Sequence, residues 1–249
     1  MGSSPLPSPG ACPQTGPVDD GGQASVVARI PGAAGLGLVA PPSVPLVPAT
    51  LLADPGWTAQ AVAARSSRTV DRRVSATVWW YSVSAVLVTP PLAGLATGIA
   101  LSGRLADTSL AFRVDGLPVA AVSSAAGSDA AAELRESLAA AVSAVAEAGG
   151  LRERPLWAIA TDSIANQLLA LGRALGDVPA ATALAGALAT AIGVPLPAPR
   201  YVDVAGARFT HRASCCLLVE LPGGSLCTSC PRRPPAERQA LLERAARWF

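Results

Sequence analysis

Thirty consecutive residues, Val74 to Gly103, carry no charge. A run of that length has to be hidden, either in the core of a globular domain or in a bilayer, where about 20 apolar residues suffice to cross. Pro90-Pro91 interrupts it, and Ser, Thr and Gly dilute it throughout. Two buried core helices, Arg72 to Thr89 and a second from the prolines to Gly103, hide it more simply than a membrane span. The uncharged run from Val178 to Pro199 is largely Ala, ends in VPLPAP, and is read the same way. No transmembrane span is expected.

Hydrophobic residues make up 51% of the 249, and only 4% are aromatic. An apolar content of mostly Ala, Val and Leu favours helices, and the length suits one large domain with small appendages. Residues 1–48 are rich in Pro, Gly and Ser and are expected to be disordered or loosely attached, because that composition sustains neither helix nor ladder. The body, 49–207, reads as mainly helical. Asp54-Pro55 caps and opens a helix running toward Arg68. Leu110, Phe112 and Val114 alternate, Asp115-Gly116 turns, and Val119 to Val122 returns, which predicts a hairpin. Ser128 and Asp129 precede a helix through Glu147 that Gly149-Gly150 ends. Further helices follow from Pro155, with Trp157, Ile164, Leu168, Leu171 and Leu175 in register, and over about 180–192. On the helix from Pro155, Asp162, Ser163 and Asn166 form a polar edge, read as its solvated face. After Pro199 the pattern changes. Tyr201 to Val204 and Arg208 to Thr210 read as strands, Cys216 to Leu221 as a short β-like run, and a final helix follows Pro234-Pro235. The fold class is α+β: a mainly helical body, a small antiparallel sheet and a C-terminal cysteine-rich segment, 208–249.

All 19 basic residues are Arg, and the net charge is +2, which argues against a nucleic-acid-binding stripe. The charge is unevenly placed. Seven Arg and three Glu fall from Arg208 onward, against twelve Arg and fourteen acids before it. The N-terminal residues show neither a basic n-region nor an apolar h-region, so a reducing cytoplasm is expected.

Four of the five cysteines, Cys215, Cys216, Cys227 and Cys230, fall within sixteen residues. An odd, clustered set is a poor disulfide framework, and Cys12, alone beside Pro13, stands apart from it. A Cys-x-x-Cys turn aims two sulfurs at one iron or zinc, and Pro222-Gly223-Gly224 can bring the adjacent pair back to it. Neighbouring side chains of a regular strand point to opposite faces, so joint ligation by Cys215 and Cys216 requires irregular backbone. His211, the one histidine, is expected at the surface or beside the ligands. On the residues alone, an iron–sulfur cluster, a structural zinc ion and a Cys227/Cys230 redox couple all stay open.

The stretch RASCCLLVELPGGSLCTSCPRR, with CC-x10-C-x2-C, arginines before the CC, an apolar run, a PGG turn and a terminal CP, resembles the C-terminal signature of the FhuF-like ferric-siderophore reductases. PLWAIATDSIANQLLALG looks like part of that family's helical body. The resemblance implies a [2Fe–2S] cluster on Cys215, Cys216, Cys227 and Cys230, a cytoplasmic location, and one-electron reduction of ferric siderophores, hydroxamates foremost, in iron acquisition. A ferredoxin- or flavodoxin-like donor would then supply the electron. Arg208, Arg212, Arg232 and Arg233 would offset the cluster's negative charge or dock an acidic partner. The alternative is a non-catalytic siderophore-handling protein whose four cysteines hold structural zinc.

Overall fold

The computed structural model describes residues 21–65 and 70–248. Helices α1 (Gly21–Val27), α2 (Pro55–Arg65), α3 (Arg72–Leu87), α4 (Thr89–Thr97), α5 (Ala130–Gly149), α6 (Glu153–Leu175) and α7 (Val178–Ile192) build the body, and α8 (Pro235–Ala246) closes the C-terminal segment. A three-stranded antiparallel sheet has the order β1 (Leu46–Pro48), β2 (Thr108–Phe112), β3 (Pro118–Ser123). A separate hairpin pairs β4 (Tyr201–Val204) with β5 (Ala207–Thr210). The α+β expectation holds.

The uncharged run becomes the centre of the core. By length and composition Arg72–Thr97 would suffice to cross a membrane, but 72% of its most apolar stretch is buried inside the fold. Trp79, Trp80, Val83 and Leu87 of α3 and Leu92 of α4 are buried against Leu156, Trp157, Ile159 and Leu168 of α6 and Leu134, Leu138 and Val142 of α5. Fixed polar contacts set the register of α3 on α6. The Trp80 indole donates to Leu156 O at 2.9 Å, the Ser84 and Ser163 hydroxyls meet at 2.8 Å, and Gln167 Nε2 donates to Ala85 O at 3.0 Å. Buried polar groups cost free energy unless paired, so these bonds favour one packing over its slipped alternatives.

Most boundaries follow the capping chemistry. Asp71 accepts from Arg73 N, Asp129 from the Ala131 and Ala132 amides, and Asp177 from Ala180 N, each filling orphan donors of a first turn. Gly150 ends α5 with φ 63°. The double proline does not merely stop α3. Pro90 and Pro91 occupy the first turn of α4, where a missing N–H is tolerated, and α4 ends at Thr97, short of Gly103. The helix predicted toward Arg68 is helical to Arg65, and its last residues lie outside the described residues. Strand β2 stops at Phe112, and Val114, 90% exposed, sits in the turn.

The expectation for residues 1–48 is overturned over 21–48. Val26, Ile30, Ala33 and Leu38 are core residues, and β1 pairs Leu46, Val47 and Pro48 with Ala111, Leu110 and Ser109. Pro and Gly there shape turns and an edge strand, which accepts Pro without loss of an inner ladder bond. Gln23, 5% exposed, ties α1 to the sheet. Its Nε2 donates to Leu38 O at 2.8 Å and Ala121 O at 2.9 Å, and its Oε1 accepts from Ser123 N at 2.7 Å. Residues 1–20, with Cys12, lie outside the described residues. Gln23→Ala is expected to lower stability by about 3 kcal/mol, since it strands three buried backbone groups. Denaturant titration of the full chain measures this, and deletion of 21–45 should cost far more.

Candidate metal centre

The cysteine segment hangs on a small frame of its own. Val204, Ala207 and Phe209 of the β4–β5 hairpin pack against Leu242 and Ala246 of α8 in a second, minor core. The Tyr201 hydroxyl donates to Ala165 O at 3.1 Å, and Arg173 Nη2 donates to Arg208 O at 2.9 Å, fastening the hairpin to α6. From β5 the chain runs without regular structure through 211–217.

Asp162 of α6 governs that passage. Its Oδ1 accepts from Ala213 N at 2.6 Å, and its Oδ2 accepts from Ser214 N at 3.2 Å and Ser214 Oγ at 3.3 Å. The Arg212 guanidinium joins the same carboxylate, Nε to Oδ2 at 3.3 Å, with both side chains almost fully buried. Burial pushes the Asp162 carboxyl above its ordinary range, while the Ala213 amide, Arg212 and the Ser214 amide pull the other way. Burial likewise opposes the charge on Arg212, yet the hydrogen bond to Cys216 and the nearby anions raise its pKa above the ordinary value. The guanidinium also lies over the Tyr81 ring of α3, 5.0 Å from the centroid. The expected solvated face of α6 is overturned at two of its three residues: Asp162 and Ser163 are each 1% exposed, while Asn166 is half-buried.

Arg212 carries this anchor to the thiols. Its Nη1 lies 3.3 Å from Cys227 Sγ and 3.5 Å from Cys216 Sγ. The neighbouring Cys227 thiol, the Leu218 amide and Arg212 draw the Cys216 thiol down to about 5, with burial opposing them. Cys227 is pushed up, by the neighbouring Cys216 thiol first and then by burial. Cys215 is also raised, chiefly by burial. All four cysteines are free thiols.

The backbone at the adjacent cysteines is irregular. Leu217 is left-handed, φ 61°, and the Leu217 and Leu218 amides favour the charged forms of the Cys215 and Cys216 thiols respectively. The β-like run expected over 216–221 is instead a left-handed residue followed by a 3₁₀ turn, Leu218–Glu220. A strand would have sent the two sulfurs to opposite faces. The PGG turn then doubles back so tightly that a Cβ on Gly224 would sit 2.0 Å from Leu218 O. In the Cys-Thr-Ser-Cys turn, Cys230 N donates to Cys227 O at 3.1 Å and Arg233 N to Cys230 O at 3.1 Å.

The four arginines singled out from sequence take different places. Only Arg212 is buried against sulfur. Arg232, half-exposed, pairs with Glu220, and its charge interacts with that of Cys215. Arg233 spends its donors on the Cys227 and Leu226 carbonyls and Glu237. Arg208 is held by Asp203, with bonds of 2.8 Å from Nε and Nη2, and lines a cleft of about 630 Å³ with Arg173, Gly176 and Trp248. No cysteine lines that cleft. His211 sits beside the site, and its Nδ1 is buried without a partner among the described residues. Sequence reasoning missed the role of Asp162. The available signal was one acid among apolar helical neighbours, Ile159 and Ala165 at three-residue spacing.

Four thiols in one segment suit a [2Fe–2S] cluster or a single zinc ion by donor chemistry alone. Among the described residues no three His, Cys, Asp or Glu side chains are gathered as ligands of one metal. A [2Fe–2S] cluster takes two thiolates on each of two irons; structural zinc gathers four about one centre. Arg212 Nη2, buried beside these sulfurs, has no hydrogen-bond partner among the described residues. Such an orphan donor is costly unless a further acceptor meets it.

Residues 212–232 match the family model described as the FhuF 2Fe-2S C-terminal domain. The match spans 21 of the 249 residues, so the likeness to an iron–sulfur domain is that of the segment pinned by Asp162. No curated protein and no solved structure matches the chain. Asp162→Ala should destabilise the fold by about 3–5 kcal/mol, because it leaves a buried guanidinium unpaired. It should also open 211–234 to proteases before the body unfolds. Denaturant melts with limited proteolysis measure both effects.

Proposed function

We propose that the chain is a cytoplasmic oxidoreductase that reduces siderophore-bound Fe(III) by one electron, with Cys215, Cys216, Cys227 and Cys230 holding a [2Fe–2S] cluster. Four free thiols inside the segment that matches an iron–sulfur family model, two of them sharing the buried Arg212 guanidinium, carry this reading. Bound there, such a cluster supplies a one-electron carrier, and the substrate iron, once Fe(II), is held far less tightly by hard oxygen donors than Fe(III) was.

The protein's own residues support that chemistry in three ways. Buried Arg212 offers N–H groups and positive charge to the Cys216 and Cys227 sulfurs, and hydrogen bonds to cluster sulfurs together with local charge set reduction potential. Asp162 and the helical body hold the segment still, which limits the rearrangement that a change of charge would otherwise demand. Cys215 and Cys227 stay partly exposed, so the site is accessible at short range to a donor protein and to a ferric complex. The donor is a ferredoxin- or flavodoxin-like protein, and the exposed arginine of this face, Arg232, suits an acidic partner. The substrate is a ferric siderophore, hydroxamates first. Structural zinc is the second reading, and the match to an iron–sulfur family model favours it less.

Chain matured anaerobically with ample iron should carry about two iron and two acid-labile sulfide, with an EPR signal only after reduction. Stoichiometric zinc and a colourless protein would replace this reading with the second. Serine at any one of the four cysteines should abolish or strongly alter the visible spectrum, while Cys12→Ser should not. A normal spectrum for Cys216→Ser would remove the adjacent pair from the ligand set. Ferric hydroxamate should then reoxidise the reduced protein in stopped flow with one electron consumed per iron released.

A further inference from the structure

We infer that Arg212, oriented by Asp162, is the tuning residue of this centre and acts through the Cys216–Cys227 thiol pair alone. The inference rests on the [2Fe–2S] reading above and narrows the general positive bias of the C-terminal segment to one buried side chain.

Four arginines are available, and burial separates them. Charge interactions weaken with solvent exposure and salt, and exposed pairs contribute little. The Arg232 side chain is 49% exposed and shares its charge with Glu220; Arg208 is neutralised by Asp203 and lies on the cleft away from the thiols. Arg233 touches backbone carbonyls, not sulfur. The Arg212 side chain is 3% exposed, with Nη1 within 3.5 Å of two sulfurs.

Asp162 does not cancel this effect. Its carboxylate meets Arg212 through Nε and spreads the rest of its charge over the Ala213 and Ser214 amides and the Ser214 hydroxyl, away from sulfur. The ion pair is a fixed dipole with its positive end on the Cys216 and Cys227 sulfurs. The Cys215–Cys230 pair has no buried cation of this kind among the described residues, and the guanidinium at Cys215 is the exposed Arg232. An added electron raises negative charge at the sulfurs, so the buried guanidinium favours the reduced state.

The test is the midpoint potential of the full chain, loaded anaerobically and titrated with dithionite, read by visible absorption and EPR. Arg212→Gln should make reduction at least tenfold less favourable, about 59 mV for a one-electron couple, and should change the EPR line shape. Arg212→Gln/Asp162→Asn, which leaves no buried charge unpaired, should shift in the same direction by less. Arg232→Gln should shift less than either, and its effect should fade as salt rises. An Arg232→Gln shift equal to or larger than that of Arg212→Gln overturns the assignment. So does an unshifted double variant, which decides the matter if the single variant does not assemble. A wild-type chain without iron, sulfide or a visible band overturns the cluster reading itself, which a normal wild-type cluster with unshifted variants does not.

Discussion

Arg212 and Asp162 meet at 3.3 Å with both side chains almost wholly withdrawn from water. Taking two charges out of solvent costs several kcal/mol each, and their attraction repays it only when every remaining donor and acceptor is used. Here the carboxylate accepts from two backbone amides, a hydroxyl and the guanidinium, and the guanidinium turns Nη1 to sulfur, while Nη2 has no partner among the described residues. A pair of hydrophobic residues could fill the same volume. It could not fix the direction of the chain through 212–214, on which the position of Cys215 and Cys216 depends. Its value is in specificity of conformation more than in stability.

That anchor solves a problem that the segment cannot solve by its own packing. The minor core of Val204, Ala207, Phe209, Leu242 and Ala246 is small, and the run from 211 to 234 contributes no strand and one 3₁₀ turn, Leu218–Glu220. Such a loop would ordinarily fluctuate. Tethering it to α6 borrows the rigidity of the main core, where α6 is locked to α3 by the Trp80 indole and the Ser84–Ser163 hydroxyl pair. Tyr81, on that same stretch of α3, forms the floor under Arg212. The thirty uncharged residues thus do more than fill a core: one turn of their helix supports the guanidinium that reaches the thiols.

Elements with a local cause were legible in the sequence. The cap at Asp129, the Asp115-Gly116 turn and the helical registers of α5 and α6 depend on neighbours a few residues away. The four-cysteine set was legible because its spacing is itself local. What depended on distant contacts was not. Residues 21–48 have the composition of a loose tail, yet Gln23 bonds groups 98 and 100 residues away, which no window of sequence reveals. Cys216 to Leu221 has strand-like residues, but the left-handed Leu217 and the 3₁₀ turn after it override that preference. Asp162 looked solvated because a polar residue on a periodic helix usually is, and only the 50-residue separation from Arg212 hid its partner.

An appended segment of this kind could house the proposed redox chemistry without threatening the fold. A centre that gains and loses charge perturbs whatever it touches, and a core packed at crystal-like density tolerates little movement. In this chain the cysteine segment meets the helical body at Asp162 of α6 and Tyr81 of α3, on either side of the Arg212 guanidinium. A change of charge at the sulfurs therefore acts first on the orientation of a guanidinium and on exposed arginines, both of which can respond with small rotations. The apolar packing of α3, α5 and α6 lies beyond Asp162 and need not move. Separation of a rigid scaffold from a polar hinge point lets the helical body set the geometry of the centre while remaining indifferent to its state.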